Sequence, residues 1–415
     1  MLSDPYNLLI LFSILTLVSY VFNIISDKLK VPSVILLLCT GILFKELSLI
    51  YQIKIPALKT PLELLGIIGL IMIVLEGSLD LKIDKNKSEI ILKSFLAGAL
   101  VLLFTSFLIS IILFYLGKLG FRTALVYAVP MGVISSAIAI PTASNLSQEK
   151  KEFITYESTF SDILGIMLFN YVIAEELLTW TSLKVFGWSF LLILYISVSS
   201  TLALLWLSKY LKSHLRVLPI LSLLVLLYAL AKLIHLPSLF LILTFGLVFN
   251  NISIIVEKIP KDIQGTVLRI FDFEKLSSVG IELKSMTREL AFLIRTFFFL
   301  MFGYTIDLSL ITSGEVVLIG SLIIGGILAI RYFFLRFILK SRIFPELFIA
   351  PRGLITILLF YSIPVHFKNE NFNEGVLIFV IVASSMIMML GILLSGKEFK
   401  VEDELQLGKD LPDTE

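Results

Sequence analysis

The fold class this sequence predicts is an all-α polytopic membrane protein of about thirteen transmembrane helices, arranged as inverted repeats with two broken crossing helices. Composition is the first reason. Of 415 residues, 58% are hydrophobic and 16% charged, and the mean hydropathy is +0.99, whereas a soluble domain carries about 25% charged residues. The second reason is that the apolar residues gather in runs of roughly 20, the length that spans a bilayer's hydrocarbon. The third is that two of those runs contain proline pairs, which an unbroken helix does not accommodate. Length alone would allow two or three domains; this composition makes residues 1–396 a single membrane domain, followed by a short polar tail at 397–415. A net charge of +2 gives no reason to expect nucleic acid as a partner. The single cysteine, Cys39, excludes an intrachain disulfide and a zinc cluster. The first apolar stretch, from near Asn7, has no basic leader and is as long as a full span, so no cleavable signal peptide is expected.

The apolar runs predict spans at about 6–26, 31–50, 61–81, 91–117, 121–145, 153–178, 186–211, 215–234, 236–252, 290–311, 314–338, 345–365 and 374–396. An odd number puts the termini on opposite sides. Basic residues choose between the two orientations. With the N-terminus outside, 23 of the 34 Lys and Arg fall in inner connections and the tail, eight in outer connections, and Arg295, Arg331 and Arg352 within spans. The expectation is therefore an N-terminus outside and a cytoplasmic C-terminus. The longest connection, 253–289, repeats Ile254, Ile255, Ile259, Ile263, Val267, Ile270 and Phe271 at helical spacing among charges. It reads as an amphipathic linker helix lying along the inner membrane surface.

Spans five and twelve differ from the others. Span five holds Pro130 and Pro141 with Ser135, Ser136 and Ala137 between them; span twelve holds Pro351-Arg352-Gly353 and then Pro364. Backbone groups freed by proline must be buried in protein or line a wet cavity. Paired interruptions at corresponding places in two halves point to a transporter's binding site. The two spans are seven apart, as expected if spans 1–6 and 8–13 are inverted repeats joined by span seven. The alternative is that these prolines only kink bundle helices.

Ionisable residues inside spans are costly and so are candidates for function. Asp162 falls near the middle of span six, with Ser158 one turn away on the same helix face and Ser161 beside it. A carboxylate there suits a group that holds a proton in one half-cycle and a cation in the other; the alternative is a structural aspartate paired with a hydroxyl. Glu157, one turn from the inner end of span six, lies at the depth of Arg331 on span eleven. A buried charge needs a partner, so the two read as a structural clamp, or else as part of the carrier. Glu76, at the inner part of span three, either reaches the same cavity or is an interfacial carboxylate. Glu63 is expected to be solvated at the outer face. Arg352 is positioned to neutralise carbonyl dipoles at the break, and Arg295 to snorkel towards inner headgroups. The three histidines map to connections and Asp162 has no mid-membrane twin, which argues against an intramembrane hydrolase. The run Phe297-Phe298-Phe299 reads as packing or lipid-facing surface.

Together these residues resemble the monovalent cation/proton antiporter superfamily, in particular its sodium/proton exchanger branch, over essentially the whole membrane portion. The branch's E-S-x-x-N-D pattern is similar to Glu157 through Asp162, with Ser161 in place of the Asn. Its span-three Glu-Gly element resembles Glu76-Gly77-Ser78-Leu79, and its span-eleven arginine resembles Arg331. Its G-L-R-G element is similar to Ala350-Pro351-Arg352-Gly353, and its F-F-x-x-x-G element to Phe298 through Gly303. The chain departs from the branch in span five, where Ile138-Ala139-Ile140-Pro141 stands in place of T-D-P.

The resemblance implies a homodimer, with spans 1–3 and 8–10 as scaffold, spans 4–6 and 11–13 as a moving core, and span seven linking them. It implies that Asp162 binds either a proton or a monovalent metal cation (Na+, Li+ or K+), with Ser158, Ser161 and the Ile138 carbonyl completing the oxygen shell and Glu76 reaching it through water. Pro141, Arg352 and Gly353 would support the crossing. No cofactor is implied beyond the transported ions, and the expected setting is the inner membrane of a bacterium. One mid-membrane aspartate further suggests a 1:1, electroneutral exchange. The rivals are a sodium-coupled symporter for an organic anion, for which Arg352 would bind substrate, and a homologue that no longer transports.

Overall fold

The computed structural model describes residues 5–29, 33–51, 59–81, 87–143, 146–173, 184, 187–188, 191–192, 195–203, 217–233, 238–257, 273–340, 344–369 and 372–395. Among them every regular element is a helix. The first half comprises α1 (Pro5–Leu29), α2 (Ser33–Ile50), α3 (Lys59–Asp80), α4 (Ser88–Tyr115), α5 (Phe121–Gly132), α6 (Ser136–Thr142) and α7 (Gln148–Ile173). The second comprises α8 (Val217–Leu233), α9 (Ser238–Asn250), α10 (Ile252–Glu257), α11 (Phe273–Thr305), α12 (Leu308–Ile311), α13 (Gly314–Phe333), α14 (Leu354–Tyr361) and α15 (Gly375–Ser395). A π-helical turn, Phe334–Ile338, continues α13. Of the expected seventh span, residues 195–203 are helical; its remainder is mostly outside the described residues, as are residues 258–272, the side chain of Glu63 and the tail.

The helices pack as membrane helices do, with small and polar residues towards protein and large apolar ones outwards. In α4 the buried positions Ser94, Ala97, Gly98, Val101, Leu102, Thr105, Ser106, Ile109, Ser110 and Leu113 recur every three or four residues. Leu103, Phe104 and Phe107 on the other side are about half exposed. By contrast α3 is buried all round from Leu70 to Leu75, which is the mark of a central helix. It packs against α9 and α11 on one side, and α11 also packs against α2. A second group is formed by α4, α5, α7, α13 and α15, with α6 against α7 and α14 against α5. The two groups meet where α3 touches α6, α7 and α14.

Two expectations are corrected here. Residues 273–289 are not a surface linker: they are the first half of α11, a 33-residue helix about 50 Å long. Val279, Leu283, Thr287 and Ala291, four apart, are each buried to within 1% and dock this half on the body. The charges between them ended the apolar run without ending the helix. In span twelve, residues 344–353 form turns and irregular chain, and helix begins only at Leu354.

Candidate ion-binding crossing

Span five loses its helix at Val133, whose φ and ψ of −71° and 133° are extended, and regains it at Ser136. The interruption falls between Pro130 and Pro141, both of which lie inside helical segments. It frees three successive backbone N–H groups, which need acceptors when buried. Each finds one on a different residue. Ile134 donates to Ser161 Oγ at 2.9 Å, Ser135 to the Pro351 carbonyl at 2.8 Å, and Ser136 to Asp162 Oδ2 at 3.2 Å. Carbonyls at the end of α5 are freed too, and Arg352 covers them. Its Nε donates to Met131 O at 2.8 Å and its Nη2 to Gly132 O at 3.1 Å, while Nη1 donates to Ala350 O at 2.5 Å. The Arg352 amide donates in turn to Ser384 Oγ at 3.0 Å, on α15. The two interrupted segments thus satisfy each other, with a cation at the carbonyl end of α5 and a carboxylate at the amide end of α6, the arrangement that backbone dipoles favour. Arg352 is fully buried and Asp162 is 1% exposed. Asp162 Oδ1 and Ser135 Oγ, both buried, have no hydrogen-bond partner.

One turn before Asp162 on α7, Glu157 meets Arg331 in a two-pronged ion pair, Nη1 to Oε1 at 2.5 Å and Nη2 to Oε2 at 2.8 Å, with side chains 1% and 0% exposed. Arg331 also donates to the carbonyls of Glu346 and Ile349, at 2.9 and 3.2 Å, so it pins the non-helical start of span twelve to α7 and α13. The Glu346 side chain is itself buried, and its Oε2 has no hydrogen-bond partner. On the other side of the crossing, Arg295 of α11 donates from Nη1 to the Ala137 carbonyl at 3.1 Å, and its Nη2 lies 4.0 Å from Glu76 Oε2. Arg295 therefore turns into the protein and does not snorkel; a carbonyl beside the break offers a buried guanidinium a partner in place of headgroups.

The sequence model of the transmembrane sodium/hydrogen exchanger family matches residues 12–396. The chain belongs to this family. The exchanger is accordingly a multi-pass membrane protein, and its class of activity is exchange of a cation against protons. Its fold is similar to that of the sodium/proton antiporter MjNhaP1 of Methanocaldococcus jannaschii. Against the structure of that antiporter at pH 8 the TM-score is 0.64 at 19% identity, covering 93% of this chain and 95% of the other. Against the electron-microscopy structure of the same antiporter the TM-score is 0.66 at 18% identity, covering 99% of both chains. At such identities the likeness is one of fold. Among curated protein sequences none matches the exchanger.

Several of the residues singled out in the exchanger's sequence meet at the crossing: Asp162, Ser161, Arg352 and Gly353, with Glu157 and Arg331 alongside. Others sit differently from expectation. The Ile138 carbonyl lies within α6 and accepts the hydroxyl of Thr142 at 2.6 Å; the group of this stretch that meets Asp162 is the Ser136 amide. Ser158 Oγ donates to the Ile154 carbonyl at 2.7 Å, a bond that uses its proton and leaves its lone pairs. Glu76 faces Arg295. Phe298 and Phe299 are fully buried, which decides for packing between the two readings of that run, packing and lipid surface. Sequence reasoning missed Ser136, Ser384, Glu346 and the inward role of Arg295. A signal for the first existed: two adjacent serines between two prolines of an apolar span.

Proposed function

We propose that the protein is a secondary active antiporter that exchanges a monovalent cation, Na+ or else K+ or Li+, for protons by alternating access, with Asp162 as the shared site. The observation that carries this reading is the state of that carboxylate. It is buried at the meeting of two interrupted spans, one oxygen is held by the Ser136 amide, and the other has no protein partner. A carboxylate removed from water needs a proton or a cation to neutralise it. Only one occupies it at a time, which is the condition for exchange. The hydroxyl of Ser136, which also bonds Asp162, and the lone pairs of Ser158, one turn before it, are the oxygens suited to a hard monovalent cation. Ser161, Arg352 and Gly353 hold the crossing open, and Glu157 with Arg331 clamps it. Spans 4–6 and 11–13 would move as the core against spans 1–3 and 8–10, with the N-terminus outside in the bacterial inner membrane and two protomers joined through the scaffold.

Inside-out vesicles from a host lacking its own antiporters test this. Adding Na+, Li+ or K+ should dissipate a preformed proton gradient in wild type, read with a pH-sensitive dye, and should do nothing in Asp162→Asn. Activity retained in that variant would assign the carrier elsewhere.

A further inference from the structure

Three cations of α11 face α3, and they do different things. Lys284 and Arg288 both meet Asp80, Arg288 at 2.9 Å. These bonds join α11 to α3, two helices of one packed group. Arg295, further along, is ion-paired with Glu76 of α3 at 4.0 Å, but its hydrogen bond at 3.1 Å goes to the Ala137 carbonyl of α6, in the other group. Ala137 follows Ser136, whose amide holds Asp162. The guanidinium thus binds the carbonyl of the residue that follows the one whose amide grips the carboxylate. Arg295 and Glu76 are only 14% and 22% exposed, so water competes little for either. If α6 travels with the ion while α3 and α11 stay behind, the Arg295–Ala137 bond cannot survive the cycle.

We propose that Arg295 is a latch between the two helix groups. It is a positioning residue that holds α6 against α3 and α11 in the access state described here, keeps its place through Glu76, and lets go when the core moves. The proposal rests on the antiport reading above. A charge-assisted bond present in one of two states biases the equilibrium between them by about tenfold or more, which is enough to set how often the site faces each side. Arg288 supplies the comparison, since its bonds lie within a single group and need not break.

The test is cation-driven proton movement by the full chain in inside-out and right-side-out vesicles, comparing wild type with Arg295→Gln, Arg295→Lys and Arg288→Gln. Removing a bond that exists in one access state repopulates the other. In Arg295→Gln the apparent KM for the cation should therefore shift about tenfold, falling when measured from one face and rising from the other. Arg295→Lys should lie between, and Arg288→Gln should match wild type. A fall in kcat alike from both faces with KM unchanged, or no change at all, would overturn the latch. A second readout does not depend on transport: amide hydrogen exchange across residues 133–143 of the purified protein should quicken in Arg295→Gln and not in Arg288→Gln. Unchanged exchange there also overturns the proposal. If wild type moves no protons in response to any cation, the antiport reading fails by itself, and the exchange measurement still decides whether Arg295 holds α6.

Discussion

Glu157 and Arg331 share one ion pair, yet losing either half should cost different amounts. Arg331 has two further acceptors, the carbonyls of Glu346 and Ile349, whereas Arg331 supplies both of the hydrogen bonds that fix the two Glu157 oxygens. Arg331→Gln therefore strands a buried carboxylate and frees two carbonyls at once. A loss of about 3–5 kcal/mol is the usual consequence of breaking such a pair. Glu157→Gln leaves Arg331 three oxygen acceptors, and should cost roughly 1–3 kcal/mol. Thermal unfolding of the purified variants in detergent should place Arg331→Gln lowest, with the double variant no worse than Arg331→Gln alone; the reverse order of the single variants would mean that the stranded cation is the costlier half. The pair was readable in the sequence because charges in apolar runs are rare and demand partners at matching depth. Ser136 was marked only by its place among small residues between two prolines; that its amide would reach Asp162 was not readable, because which amides are freed depends on where the helix stops. Glu346 stood at the edge of an apolar run, where a carboxylate ordinarily meets water.

At the scale of elements, the crossing is a trade of backbone groups between two interrupted spans, and Arg352 is its broker. One flat guanidinium reaches Met131, Gly132 and Ala350, which needs several donors fixed in a plane. Lysine has a single point charge on a flexible stem and cannot reproduce that fork. Arg352→Lys should therefore behave as a severe variant. With two of the three charge-assisted bonds lost, at roughly 1.5–3 kcal/mol each, the expected result is a drop of several degrees in melting temperature and loss of most cation-driven transport. A lysine variant with wild-type transport would show that charge alone, without its geometry, holds the crossing. The prolines gave away which spans are interrupted, but not the place of interruption. Helix persists through Pro130, and the chain opens three residues later, where Ser161, Pro351 and Asp162 stand ready to accept its amides. Those acceptors come from elsewhere in the chain, so no local pattern reveals them. The same limit explains α11: apolarity measures what lies in lipid, and a helix anchored by one buried stripe continues past that boundary.

On the scale of the whole molecule, the helices sort into two packed groups that meet mainly at α3, with Arg295 of α11 bonded across to α6. Apolar periodicity could not draw that division, because helices of both groups are equally greasy. A consequence for energetics follows from the charges inside the proposed core. Glu157 is neutralised by Arg331, and Arg352 is held among backbone carbonyls, so on the proposed reading both would travel unchanged in either direction. Asp162 would then be the group whose partner alternates. Being neutral with a proton and neutral with a monovalent cation, it would leave the core with the same net charge on both strokes, and exchange of one cation for one proton would move none. Were one charge to cross per cycle, a potential of 100 mV would contribute about 2.3 kcal/mol, a shift of nearly fiftyfold in the equilibrium gradient. Proteoliposomes clamped with potassium and valinomycin at 0 and ±100 mV, driven by a Na+ gradient, separate the two cases. The expected result is the same proton flux at all three potentials. A flux that rises steeply at one polarity would mean a second titrating group moves with Asp162, and Glu346, buried beneath Arg331 with one oxygen unpartnered, would be the first residue to neutralise.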